Sequence, residues 1–303
     1  MENKEKLGAV GGQAVIEGVM MQANNYRAIA VRKPNGEIEV KKEKIKSWVK
    51  DKKIDKIPFL RGAFVLVDTM ISGINSLNYS SEFYLEEEEE DAIDRFLKKI
   101  FKEKANEAII ITSLIIALLL SVGIFVLIPT FIGGLFSKII DNHIVLNLIE
   151  GVIRIAILIA YMVLVSFNSD IKRVFEYHGA EHKSIYCYEN DLELTVENAR
   201  KFGRLHPRCG TNFLFIVMFI SIILFAFFGW PNPLLRVLIR IVCIPIVAGI
   251  SYEIIKFLGK YNNILSKIVA YPGMMMQKIT TKEPDDAQLE VAIAALKAVL
   301  NEK

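Results

Sequence analysis

Residues 213–257 read FLFIVMFISIILFAFFGWPNPLLRVLIRIVCIPIVAGISYEIIKF. Two apolar runs, 213–230 and 234–257, are separated by little more than Pro231-Asn232-Pro233. Each approaches the roughly 20 apolar residues that cross a bilayer's hydrocarbon core as a helix. Inside that core backbone N–H and C=O groups must be satisfied within the segment, which selects the helix. A connection this short returns the chain at once, so the pair forms a helical hairpin. Two further runs lie upstream, at 108–128, ended by Pro129, and at 144–167. The fold class that follows is mostly α, a polytopic membrane protein with about four transmembrane helices.

Composition agrees. Of 303 residues, 52% are hydrophobic, too many for an ordinary soluble domain. The formal charge of +3 is small and no basic block alternates with aromatics, which argues against a nucleic-acid partner. Cys187, Cys209 and Cys243 share no disulfide-like or CxxC spacing, so nothing points to an oxidising compartment. The first twelve residues are polar and then glycine-rich, without the apolar core of a signal peptide.

Ahead of the first span a small α+β region is expected. Residues 1–56 form its glycine-rich and β-hairpin part. Gly8, Gly11, Gly12 and Gly18 point to tight turns or close backbone contact. No Lys-Ser/Thr follows them, which argues against a nucleotide-binding loop. Glu17 stands alone among Val15, Ile16, Val19 and Met20, as a solvent-facing strand carboxylate or a site carboxylate. Residues 28–31 and 38–40 flank Asn35-Gly36, the strongest short hairpin signal. Residues 41–56 are lysine-rich, an exposed connection suited to an anionic lipid surface. In 57–80, Phe59, Ala63, Leu66, Met70, Ile74 and Leu77 mark one helical face, while Arg61 and Asp68 argue against a full span. That is an amphipathic helix on or beside the membrane. Residues 81–107 read as an acidic linker, with its run at 86–91, and a helix. The tail, 258–303, carries a helix at 285–302. Asp285 and Gln288 form its capping box, and Leu289, Ile293, Leu296 and Leu300 form a stripe that must dock.

Lys and Arg set the orientation. The loop between the second and third spans, 168–212, holds Lys172, Arg173, Lys183, Arg200, Lys201, Arg204 and Arg208, whereas 129–143 holds only Lys138. The positive-inside rule puts 168–212 and both termini in the cytoplasm, with the chain multi-pass in the cell membrane. The partners this implies are the lipid bilayer and, for the helices, a second copy or another membrane protein. Within the spans Glu150 and Arg154 lie one turn apart, as do Arg236 and Arg240. Charges at such depth cost several kcal/mol unless paired, so Glu150 is expected to meet Arg236 or Arg240. They serve as structural glue or as a path for an anionic ligand. Glu253, at the other end of the fourth span, either reaches the 168–212 loop or pairs with Lys256.

The chemistry concentrates in that loop. His178 and His182 are spaced i, i+4 and so share a helix side, the spacing by which one helix offers two imidazoles to zinc. The order His-x-x-Glu-His is the reverse of the commoner zinc-peptidase signature, and Glu181 is its general-base candidate. His206 and Cys209 add two more ligand-type side chains in a proline-containing turn. Four protein ligands would make a closed structural site; three would leave a position for water and permit hydrolysis. Glu189, Glu193 and Glu197 are rival third ligands.

Residues 11–21 (GGQAVIEGVMM), 178–189, 206–211 (HPRCGT), 271–273 and 280–284 (TTKEP) resemble the bacterial YqhQ-like family of unknown function across nearly the whole chain. The resemblance implies a metal-dependent enzyme of the membrane and names no substrate. Three functions follow as expectations. The first is a zinc-dependent hydrolase, a peptidase among them, with His178, His182 and His206 or Cys209 as ligands and Glu181 as base. Glu17, Glu189 and Glu253 rank behind these. The second is a non-enzymatic scaffold or insertion/assembly factor with a structural metal or none. The third, a transporter or channel, lacks the internal repeat such folds carry.

Overall fold

The structure, a computed structural model, describes residues 10–23, 25–45, 54–84, 105–260 and 264–300. The acidic run 86–91, most of the 81–107 segment and lysine-rich residues 46–53 lie outside the described residues. The strands are β1 (Val10–Val15), β2 (Gly18–Ala23), β3 (Tyr26–Arg32) and β4 (Ile38–Lys44). The helices in chain order are α1 (Leu60–Ser81), α2 (Ala105–Val122), α3 (Ile128–Phe136), α4 (His143–Val165), α5 (Ser169–Glu189), α6 (Val196–Arg200), α7 (Gly210–Ala226), α8 (Pro233–Lys260), α9 (Ile264–Thr280) and α10 (Asp286–Leu300). The chain is thus mostly helical with a small N-terminal sheet. It divides into two compact units, one of residues 1–84, 159–220 and 244–303, the other of 85–158 and 221–243.

In the first unit the expected hairpin, β3 and β4, is half of a four-stranded antiparallel sheet of order β1-β2-β3-β4. The glycine-rich segment ahead of it consists of strands more than of turns. Only Ile16 and Glu17 lie between the paired Val15 and Gly18, and Glu17 takes a left-handed φ of 47° to close the turn. Strand side chains alternate between faces. Val19, Met21, Ala28 and Ala30 join a core with Tyr177, Ala180, Leu289 and Leu296 from α5 and α10. Val15, Met20, Ile29 and Val31 face the other way, onto Leu77 and Tyr79 of α1 with Phe83 and Tyr84. Burial on both faces explains why β2 and β3 read as near-continuous apolar runs. β4, at the edge, carries Lys41, Lys42 and Lys44, charges that discourage further strand pairing.

α10 starts with the expected capping box: Gln288 N–H donates to Asp285 Oδ1 at 2.7 Å, and Asp285 N–H donates to Gln288 Oε1 at 2.9 Å. Its apolar stripe fills the sheet core, with Leu289 and Leu296 at most 1% exposed. The tail contains a second helix, α9, ahead of the one its capping signals announce. The 168–212 loop opens as α5, capped by Asn168, whose side chain accepts from the N–H groups of Asp170 and Ile171.

In the second unit Pro129 does not end the first span. A π-helical turn, Gly123–Leu127, carries α2 into α3, and Pro129 sits in the first turn of α3. The continuous apolar helix is therefore Ile111–Phe136. With His143–Val165 and Pro233–Phe257 it makes three described helices long and apolar enough to cross a membrane, rather than four. The expected span 213–230 is α7, whose 17 residues reach only about 26 Å at 1.5 Å per residue against a core of about 30 Å. It stops at Ala226, and Gly229 at φ 67° turns the chain before α8. Leu118, Leu119 and Phe131 of the first span are more than 60% exposed, a contiguous apolar surface of the kind lipid covers.

Candidate metal centre

α5 places His178 and His182 on one side with ring centroids 4.4 Å apart. Each imidazole is oriented by a backbone carbonyl. His178 Nδ1 lies 2.9 Å from Thr280 O, and His182 Nδ1 lies 2.5 Å from Arg204 O. A carbonyl only accepts, so both Nδ1 atoms carry the proton and both Nε2 atoms present a lone pair. This is the outer-shell arrangement that fixes the tautomer of metal-ligating histidines. His178 Nε2 is 3.2 Å from Cys209 Sγ. His182 Nε2 is buried and has no hydrogen-bond partner among the described residues. The three ligand atoms lie within 4.8 Å of one another, His182 buried and the other two half-buried.

Local sequence explains how the carbonyls arrive. Gly179 is where the backbone of Lys282 crosses α5, and no side chain fits there. The crossing is fixed by Lys282 N–H donating to Phe175 O at 2.8 Å, which brings Thr280 over His178. Cys209 is held in a turn in which its N–H donates to His206 O at 3.3 Å and Asn212 N–H donates to Cys209 O at 3.0 Å. Thr211 Oγ1 stands 3.4 Å from the thiol.

His206, the fourth candidate, is near the cluster without joining it. Its ring centroid is 5.5 Å from that of His182 and 4.5 Å from that of Tyr186. Arg208 N–H donates to its Nδ1 at 3.3 Å, so Nε2 bears the proton and donates to Glu189 Oε2 at 3.2 Å. Gln277 clamps the backbone of His206, accepting from its N–H at 2.7 Å and donating to its carbonyl at 2.8 Å. Glu189 also accepts from Arg208 Nη2 at 2.5 Å. Burial pushes the Glu189 carboxyl up, but His206 and Arg208 outweigh it and hold it below the usual carboxylate range. The rival ligands Glu193 and Glu197 are outside the cluster.

Glu181 is also outside the three-residue cluster. Its carboxyl is buried against β1, and a Cβ on Gly12 would lie 2.8 Å from Oε1. Desolvation raises it to about 7, with His178 pulling the other way. It accepts no hydrogen bond among the described residues. Gly12 therefore supplies the close backbone approach that the glycine-rich motif implied.

The lower-ranked carboxylates are engaged elsewhere. Glu17 pairs with Arg173, with Nη2 to Oε2 at 2.5 Å, and accepts from the Tyr177 hydroxyl at 3.2 Å. Glu253 pairs with Arg61 at 2.5 Å and accepts from Phe59 N–H at 3.2 Å, with Lys256 also acting on its charge. In the second unit Glu150 meets three arginines: Arg154 at 3.2 Å, Arg236 at 3.5 Å, and Arg240 in direct contact. Thr280, within the 280–284 motif, and Arg204 act through backbone carbonyls, and Gln277, which no sequence pattern singles out, acts through its carboxamide.

Two imidazole lone pairs, one orphaned in a buried setting, and a thiol fit a divalent transition metal such as zinc. Residues 57–302 match the model of a family described as "Protein of unknown function (DUF1385)", and the chain belongs to that family. The "Uncharacterized protein YqhQ" of Bacillus subtilis (strain 168) is 36% identical over 294 residues, covering 96% of this chain and 92% of that protein. No solved structure matches.

Proposed function

We propose that this family member is an integral membrane, zinc-dependent hydrolase, a peptidase in its most direct form, with His178, His182 and Cys209 as ligands. One observation carries the reading: both imidazoles give their Nδ1 protons to backbone carbonyls, leaving Nε2 lone pairs beside a thiol. His178, His182 and Cys209 would hold the ion, which would supply Lewis acidity when bound. His206 speaks against a closed structural site, because both of its ring nitrogens are engaged. Thr280 and Arg204 hold the ligand imidazoles in one tautomer and orientation. Glu181, one residue before His182 and buried without a hydrogen bond among the described residues, is the chain's own base, accepting a proton at its carboxylate during the reaction. The basic residues of 168–212 put this centre on the cytoplasmic side.

Elemental analysis of the purified protein tests the reading. About one zinc per chain is expected, lost in His182→Ala and Cys209→Ala and retained in Glu181→Gln. Hydrolysis of a quenched fluorescent peptide library should fall about 10²–10⁴-fold in Glu181→Gln. Metal-free protein of full stability would overturn the metal. Metal present with no turnover, together with a fourth protein ligand found by X-ray absorption, would leave the scaffold reading in its place.

A further inference from the structure

The second unit holds three guanidinium groups and one carboxylate, Arg154, Arg236, Arg240 and Glu150, all at most 8% exposed. That is a surplus of two positive charges in helices apolar enough to cross a membrane. Arg154 and Arg240 are accounted for. Arg154 Nε donates to Phe125 O at 3.1 Å and Nη2 to Glu150 Oε1 at 3.2 Å, while Arg240 contacts Glu150 and Thr130. Arg236 is different. Its Nε and Nη1 form no hydrogen bond among the described residues, although it is only 5% exposed. Nη1 does lie 3.5 Å from Glu150 Oε2, an ion pair without hydrogen-bond geometry.

Trp230 does not meet that need. Its ring centroid is 3.8 Å from Arg236 Cζ, so it covers the face of the guanidinium, and the N–H donors lie on the edge. Arg236 borders a small recess with Asn147, Phe225, Gly229, Pro231 and Arg240. Arg236 is the fourth residue of α8 and Asn147 the fifth of α4, so the recess lies near one end of both helices. At that depth a bilayer presents headgroups to the protein. Arg236 Nη2 donates to Thr130 O at 3.4 Å, which leaves Nε and Nη1 without a hydrogen bond among the described residues. Surplus positive charge, these two donors and an adjacent opening call for an anion rich in acceptor oxygens.

We propose that Arg236, backed by Arg240, forms a binding site for a phosphate-type anion, which as a membrane component is a lipid phosphate. The proposal is independent of the metal centre. It is tested on the full-length protein in a nonionic detergent by following the thermal unfolding midpoint. Phosphatidylglycerol, phosphatidylcholine and inorganic phosphate are added separately. Phosphatidylglycerol is expected to raise the midpoint by roughly 5 °C, more than phosphatidylcholine does. Arg236→Gln should lose this shift and keep its zinc. An equal shift with inorganic phosphate, also lost in Arg236→Gln, supports the same site with its ligand drawn from solution. No shift with any of the three, or a shift that survives Arg236→Gln, overturns the proposal. Should Arg236→Gln fail to fold, Arg236→Lys keeps the charge and loses the planar edge, and its shift is expected to be at least halved.

Discussion

In the first unit, His178 and His182 hand their Nδ1 protons to carbonyls and keep lone pairs, and the one on His182 meets no donor among the described residues. In the second unit, Arg236 Nε and Nη1 make no hydrogen bond among the described residues. The arginine cluster is buried and stands in apolar sequence; the histidine cluster is buried at His182, half-buried at His178 and Cys209, and stands in polar sequence. Their deficits have opposite sign. Lone pairs without donors ask for a cation, and donors without acceptors ask for an anion. The identity of the orphaned atoms separates the two clusters, where a count of charged residues does not.

The widest test of that separation is a crossed pair of variants. His182→Ala should reduce bound zinc from about one ion per chain to a trace by elemental analysis, with the phosphatidylglycerol shift intact. Arg236→Gln should do the reverse. Loss of both properties in either variant would break the comparison. Within the arginine cluster, Glu150→Ala leaves three arginines without their carboxylate and should destabilise by about 3–5 kcal/mol, whereas Arg236→Gln should cost little. Denaturant titration of the two variants measures the gap. Equal losses would return Arg236 to a structural role.

Smaller effects sharpen the metal side. Gly12→Val sets a Cβ 2.8 Å from both Glu181 Oε1 and Met20 O, and should cost about 1–3 kcal/mol in the same titration. Glu189→Gln removes the partner of His206 and should cost about 1.5 kcal/mol at neutral pH. Its sign follows from the lowered folded-state value of the carboxyl. The contribution is complete above the ordinary glutamate value of about 4.3 and is lost as pH falls through the lower folded value. Unfolding midpoints of wild type and variant should therefore converge in acid. Zinc should survive Glu189→Gln. Its loss would bring His206 into the ligand set and close the site.

The features legible in the sequence are the local ones. Asn35-Gly36 marks the hairpin, Asp285 with Gln288 marks the start of α10, and the i, i+4 histidines mark the centre. Each depends on neighbours within a few residues. The features that are not legible depend on distant partners or on small excesses of length. The glycines at 11 and 12 lie within a strand because β2 pairs with it and Glu181 packs beneath, which only the assembled unit supplies. Pro129 does not act as a stop because a π-helical turn absorbs it. The run at 213–230 is as apolar as the others, but its helix closes at Ala226. His206 has the spacing of a ligand, yet Glu189 and Gln277, 17 and 71 residues away, engage its ring and backbone.

The docking of α10 into the N-terminal sheet also sets a schedule for biosynthesis. Arg32 binds Glu290 across 258 positions, so that length of chain must be made between the first partner and the second. At about 5–20 residues per second, the delay is roughly 13–52 s. Until then the sheet face that Leu289 and Leu296 fill is covered by α5 alone, through Tyr177 and Ala180. A chain halted before α10 would lack the ion pair of Arg32 with Glu290 and the apolar stripe that completes the sheet core.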